Sequence, residues 1–306
     1  MSSNSTPSAT VVIPTLGRPR SLKNSVNSAI KAGQIAGNVE IVVVNDGTDM
    51  SLLNVIDVSW PPNVRVLMNS HQKGPSGARN CGVENATAPI IFFLDDDDKF
   101  VCGYIRDTLR LLSELEDKPS FGFSSVVSRR KSPKRPRESG AIGKNSPVLD
   151  YIAPLSSGVW IRRELFLSSG CLDTKLRINE DTEFFLRLAS LKVNGWYSAD
   201  PGVIIRPLDL EMFDETASIT KTVSPKERAE AFEYILSIHS SIIDTDLNLR
   251  RKFSSRIVKY LARSVSMRDA ISAGRRHKLG VPRILFELSI GCITRKGKIT
   301  SQPQKV

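Results

Sequence analysis

The 306-residue sequence contains no CxxC pair, and its four cysteines, Cys81, Cys102, Cys171 and Cys292, lie far apart. That spacing argues against a zinc site or a disulfide frame and for free thiols in a reducing compartment. No stretch approaches the roughly 18 consecutive apolar residues that a spanning helix needs. The first nine residues, MSSNSTPSA, lack the apolar core of a secretory signal. The expectation is a cytoplasmic protein. There is no G-x-G-x-x-G after the first strand pattern, which removes the dinucleotide dehydrogenases. Histidine is scarce: His71, His239 and His277 are the full set, and they read as structural or exposed. No internal repeat is visible.

What is present is an ordinary apolar content of 40% and an unevenly placed charge. Residues 1–224 hold 26 basic and 25 acidic side chains, whereas residues 225–306 hold 17 and 7, a net of +10. Charge concentrated in this way suits a surface that meets phosphate, either lipid headgroups or nucleic acid, or else a well-solvated helical face.

The first half alternates strand and helix signals. ATVVIPT, VEIVVVND, VRVLMN and APIIFFLDDDD are apolar, β-branched or aromatic runs of strand length. Between the first two, residues 21–36 place Leu22, Val26, Ala29, Ile30 and Ile35 at roughly helical spacing. GPSGARNCGVENAT reads as a loop entering a helix. Continuous apolar strands separated by helices predict a mostly parallel sheet covered on both faces, with ligands beyond the carboxyl ends of the strands. The endings PT, ND and DDDD converge on that rim. Further on, RRKSPKRPR at 129–137 reads as a charged loop. In NEDTEFFLRLASLK, Asn179 reads as an N-cap, with Phe184, Phe185, Leu188 and Leu191 as the apolar face. Glu180 and Asp181 then fall in the first turn, where the helix dipole favours ionised carboxylates. Beyond 224 the chain is expected to be mainly helical. Ser224, Pro225 and Glu227 form a capping box, Ser266 and Asp269 repeat the device, and Gly280 and Pro282 interrupt.

FFLDDDDKF, residues 92–100, drives an apolar strand into four carboxylates. Such a cluster must be solvated or neutralised. A divalent cation such as Mg²⁺ or Mn²⁺, which favours carboxylate oxygen plus substrate phosphate, would neutralise it.

Five motifs in order, VVIPTLGRPRSL, EIVVVNDGTD, GPSGARNCGVENA, FFLDDDD and NEDTEFFLRL, resemble a family 2 glycosyltransferase of the GT-A fold over roughly residues 10–222. The resemblance implies an α/β fold with a mostly parallel sheet, a polar tail at 1–9, a catalytic domain at 10–222 and a basic helical region at 223–306. It implies transfer of a sugar, with inversion, from a nucleoside diphosphate sugar (UDP-linked first) to a glycan or lipid-linked acceptor in surface polysaccharide or glycoconjugate synthesis. Asp97 matches the most direct ligand of Mg²⁺ or Mn²⁺. Asp95 lies near the ion and, with Asp96, near the ribose, on the argument that Asp95 and Asp97 point the same way in an extended backbone. Asp98 either supports the ion's ligands or is merely solvated. Asp46 matches the carboxylate that binds the base, Pro14 and Thr15 the strand edge along it, and Arg18 and Arg79 basic positions near the nucleotide. Gly158, in SSG, matches a small-residue segment near the donor sugar. Asp181 matches the general base, with Glu180 as the capping alternative.

The chain departs from the family where relatives carry a histidine or an aromatic-basic motif after the catalytic helix. Here that stretch, VIIRPLDLEMFDETASIT, offers only Arg206 toward the diphosphate. A nucleotidyltransferase making sugar nucleotides would want a glycine-rich phosphate loop where PTLGRPR stands. A nucleic-acid-binding protein would leave DDDD and NED unexplained, and the tail has little aromatic interleaving for base stacking. The basic tail is expected to meet an anionic membrane surface through PRILFELSIGCITRKGK, with Ile284, Leu285, Leu288 and Ile293 in the interface. The alternatives are packing on the catalytic domain or a homo-oligomer through the C-terminal helices.

Overall fold

The structure is a computed structural model that describes residues 6–47, 60–128, 138–156, 158–205, 222–264 and 266–299, the stretch 292–299 by backbone alone. The basic loop 129–137, Arg206 and the stretch 207–221 lie outside the described residues, as does the Ile293 side chain. The chain divides into two compact units, Met1–Ala217 and Ser218–Val306.

The first unit begins with β1 (Ala9–Thr15), α1 (Pro19–Ala36), β2 (Val39–Asn45), β3 (Val64–Met68), α2 (Pro75–Glu84) and β4 (Ile90–Phe93). The strands pair in parallel in the order β3-β2-β1-β4. Both faces of β1, β2 and β4 are covered, so these strands carry the continuous apolar runs VVI, IVVV and IIFF, whereas the edge strand β3 is half-exposed. On β2, Ile41 and Val43 face the side packed by Leu22, Val26 and Ala29 of α1, while Val42 and Val44 face Ala78 and Cys81 of α2. Ile35, expected on the buried face of α1, is exposed. At 100° per residue it stands about 140° from Leu22 and about 180° from Val26, on the opposite side of the helix.

Short elements complete the sheet: β5 (Asp98–Phe100), α3 (Tyr104–Glu114), β6 (Phe121–Val127), β7 (Gly140–Ile142), α4 (Val148–Tyr151), β8 (Trp160–Arg162), α5 (Arg163–Ser168), α6 (Glu180–Ser190) and β9 (Gly195–Ile205). The strand order continues β4-β8-β6-β9-β5, with β7 also on β9. Among the described strands here only β6 and β9 run parallel; β8 is antiparallel to β4 and β6, and β5 and β7 are antiparallel to β9. Parallel pairing therefore dominates the half that carries β1 to β4 and gives way beyond it. The three-residue strands β5, β7 and β8 are too short to show a period in the sequence. Leu191 is exposed although its spacing matches the buried Phe184 and Leu188. Helix α6 ends at Ser190, so Leu191 sits at the cap, where the chain leaves the core.

The second unit is helical: α7 (Pro225–Ile238), α8 (Ser240–Ile243), α9 (Leu247–Ser264), α10 (Met267–Arg276) and α11 (Val281–Ile299). The Ser224–Glu227 capping box closes in both directions, and the Ser266 hydroxyl accepts from the Asp269 amide. Helix α9 is central and packs on α7, α10 and α11. Phe232 of α7 meets Phe253 and Tyr260 of α9, and Val258, Ala262, Ala270, Leu279, Ile284 and Leu288 form a second cluster. Ile284 and Leu288, expected at a lipid interface, are 6% and 5% exposed and belong to this core. Residues four apart on one helix share a face, and that face is taken by α9 and α10. No described helix is long and apolar enough to cross a membrane.

Candidate active site

The site lies at the carboxyl ends of β1, β2 and β4. Beyond β4 the chain does not stay extended. The Asp98 amide donates to the Asp95 carbonyl at 3.1 Å, so residues 95–98 form a tight turn into β5. The alternation expected of an extended run is absent, yet the turn still sorts the four carboxylates. Oxygens of Asp95, Asp97 and Asp98 lie within 4.8 Å of one another. Asp96 turns to the other side, where it accepts from Thr15 Oγ1 at 2.6 Å and from the Arg18 guanidinium. Asp98 is buried, which removes its reading as a solvated group. Three carboxylate oxygens drawn together would repel without a counter-charge, and an all-oxygen donor set suits Mg²⁺ or Mn²⁺.

Arg18 enters at the start of α1 and braces the turn, with Nη1 donating to Asp97 at 3.0 Å and the rest of its fork on Asp96. Burial pushes the Asp96 carboxyl up to about 6 against the opposing pull of Arg18 and the Thr15 hydroxyl. Asp46, at the end of β2, is also buried, and each of its oxygens is engaged by the protein. It accepts from Asn69 Nδ2 at 2.6 Å and from the Gly74 amide at 2.9 Å, tying the β2 edge to the entry of α2. Each of its oxygens keeps a second lone pair for a ligand. Pro14 lies in β1 opposite Val44 of β2.

Arg79 is not a surface arginine. It projects from α2 into the interior, 6% exposed, and donates from Nη2 to Asp95 at 2.7 Å and from Nη1 to Glu180 at 3.0 Å. Its buried Nε has no hydrogen-bond partner among the described residues. One guanidinium thus joins the acidic turn to the first residue of α6, a planar fork well suited to two carboxylates. Replacing Arg79 by methionine would strand two carboxylates. The expected loss is about 3–5 kcal/mol of unfolding free energy, read by chemical denaturation; a loss under about 1 kcal/mol would show that the pair is solvated.

Asn179 occupies the N-cap position of α6, but in the left-handed region (φ 60°) and with no side-chain cap. Its buried Nδ2 has no hydrogen-bond partner among the described residues. Asp181 provides the local bond instead, accepting from the Thr182 amide at 2.6 Å. Burial raises the Asp181 carboxyl, opposed by the Thr182 and Leu155 amides and by Arg79. Burial and the adjacent Asp181 push Glu180 up to about 7, with Arg79 pulling down. The folded chain therefore holds the Glu180 proton more tightly than the unfolded chain. Its contribution to stability is complete below about pH 4.5 and is lost as pH rises through about 7. Between pH 6 and 7, above the range of Asp96, Glu180→Gln should flatten the fall of the melting temperature with pH; an unchanged slope would contradict this assignment.

Gly158 has φ +61°, and a Cβ there would stand 2.8 Å from Ser124 Oγ and 3.0 Å from a Tyr104 ring carbon. The Tyr104 hydroxyl donates to the Gly158 carbonyl. The glycine is thus required by a positive φ and by Tyr104 and Ser124 packed against it. The bond of Glu180 to Arg79 has no signal in the sequence, because the two residues are 101 positions apart.

The model of the glycosyl transferase family 2 matches residues 10–167, the segment that builds β1 to β8 and the acidic turn. The chain belongs to that family. Among curated proteins of similar sequence, a Campylobacter jejuni protein named GalNAc(5)-diNAcBac-PP-undecaprenol beta-1,3-glucosyltransferase is 28% identical over 123 residues, 39% of this chain and 37% of its own. The Escherichia coli UDP-Glc:alpha-D-GlcNAc-diphosphoundecaprenol beta-1,3-glucosyltransferase WfgD is 26% identical over 145 residues, 47% of this chain and 50% of its own. The matched stretches span 37% to 60% of the length of these and other curated relatives. The structure of S. aureus TarS 1-349 in complex with UDP-GlcNAc superposes with a TM-score of 0.64 at 18% identity, covering 97% of this chain and 93% of that one. A Pyrobaculum calidifontis mannosyltransferase in complex with GDP-Man and Mn²⁺ gives 0.56 at 13% identity, covering 96% and 88%. These likenesses establish the fold: an α/β sheet of the GT-A type flanked by helices, with a helical C-terminal region.

Proposed function

We propose that the protein transfers a sugar from a nucleoside diphosphate sugar to a hydroxyl of a lipid-linked or glycan acceptor, with inversion. The observation that carries this reading is the acidic turn at the sheet's carboxyl edge, joined through Arg79 to the helix that bears Asp181. UDP sugars are the first donors to test, since a UDP-GlcNAc complex is known for TarS and WfgD is named for UDP-Glc. Lipid-linked acceptors are suggested by the undecaprenol diphosphates in the relatives' names.

Asp97 and Asp95, with Asp98 behind them, would hold Mg²⁺ or Mn²⁺. A bound ion there supplies charge stabilisation to a departing diphosphate. The protein's own groups do the rest. Asp46 and the Pro14–Thr15 edge line the rim where the base would rest. Arg18, engaged with Asp96 and Asp97, holds the turn in shape. Inversion in a single displacement calls for one base at the acceptor hydroxyl. Asp181 is suited to it, because the Thr182 amide anchors its carboxylate while burial moves its pKa upward, toward the working pH of a general base. The test is a melting-temperature shift with UDP plus Mn²⁺, followed by a panel of nucleotide sugars assayed for hydrolysis and transfer. Absence of both a UDP shift and turnover of any sugar nucleotide would overturn the reading.

A further inference from the structure

Helix α11 is apolar on two sides, and the second unit covers only one of them. Ile284, Leu288 and Gly291, at intervals of four and three, form the inward face. Ile284 and Leu288 sit in the cluster with Val258, Ala262 and Ala270, and a Cβ on Gly291 would meet Ala262 at 2.6 Å. Away from that face Leu285 and Phe286 are 61% and 51% exposed, and Val281, at the start of the helix, is 67% exposed. An amphipathic helix that needed only this core would carry polar residues there.

The second unit as a whole is cationic. The Arg283 guanidinium lies 5.2 Å from the Phe286 ring centroid but pairs with Glu287 at 2.7 Å, and the sequence of α11 continues through Arg295, Lys296 and Lys298. On α10, Arg268 and Arg275 are exposed and have no acidic partner among the described residues. With Ile271, Ser272 and Arg276 they line an open concavity of about 550 Å³. We propose that this face of α11 docks the protein on a membrane surface of anionic phosphate headgroups. Leu285 and Phe286 enter the interface, and the exposed guanidiniums of Arg268 and Arg275 meet the headgroups. Charge decides between this occupant and a second copy of the chain. Two copies meeting here would juxtapose segments of net +10 each, whereas an anionic surface neutralises them. The purpose of docking rests on the proposed lipid-linked acceptor, but its test does not.

The experiment is co-sedimentation of the full chain with phosphatidylcholine vesicles, with and without phosphatidylglycerol, at low and high salt. Wild type should pellet with the anionic vesicles at low salt and be released as salt screens the attraction. Leu285→Glu with Phe286→Glu should weaken that binding by about tenfold or more. Both side chains are exposed, so the double variant should keep its circular dichroism spectrum and, without vesicles, the wild-type rate of sugar-nucleotide hydrolysis. Equal pelleting on neutral and anionic vesicles, or undiminished binding by the variant, would overturn the proposal. So would a wild-type dimer, seen by sedimentation equilibrium, that the variant converts to monomer without any vesicle preference. Absence of hydrolysis in both proteins would count against the proposed reaction and leave the docking result standing.

Discussion

Asp97→Ala is expected to fold normally and yet lose Mn²⁺-dependent donor binding and turnover by about 10²-fold or more, the equivalent of several kcal/mol. The fold should survive because Asp97 is partly solvent-exposed and Arg18 retains its bonds to Asp96 when Asp97 is removed. Donor binding should not survive, because the three clustered carboxylates would be reduced to Asp95 and Asp98, and the first of these already shares an oxygen with Arg79. The measurement is the melting shift on adding UDP with Mn²⁺, alongside hydrolysis of the preferred sugar nucleotide. A variant with full activity in the presence of EDTA would sink the metal assignment.

Asp181→Asn should separate binding from chemistry. The asparagine carbonyl can still accept the Thr182 amide, so the first turn of α6 keeps its bond. UDP and metal binding should therefore match wild type, while transfer falls by roughly 10² to 10⁴-fold, the usual contribution of a general base. Removing the neighbouring charge should also let Glu180 titrate lower, since Asp181 is one of the causes of its raised pKa. Transfer near the wild-type rate by this variant would move the base elsewhere, with Glu180 the next carboxylate to examine.

Much of the architecture was legible because its signals are local. The strands β1, β2 and β4 are buried on both faces, so their sequences are unbroken apolar runs, and the polar residues that end them mark the rim. The capping box at Ser224 is likewise a four-residue pattern with a single geometric reading. The antiparallel half was not legible, since β5, β7 and β8 hold three residues each and owe their existence to pairing with distant strands.

The sequence by itself determined where acidic groups would gather: four consecutive aspartates at the end of a buried strand, and Glu180 with Asp181 at the start of a helix. Only the tertiary structure decided what each one does. A turn separates Asp96 from its three neighbours and buries Asp98, and no spacing rule foretells that. Arg79 reaches Asp95 across 16 positions of chain and Glu180 across 101, because α2 packs where its guanidinium can span both. The same division holds in α11. Its sequence shows apolar residues all around the helix, but the packing of α9 and α10 selected Ile284 and Leu288 for the core and left Leu285 and Phe286 outside. Periodicity sets which residues share a face; which face is covered depends on the neighbour that arrives from elsewhere in the chain.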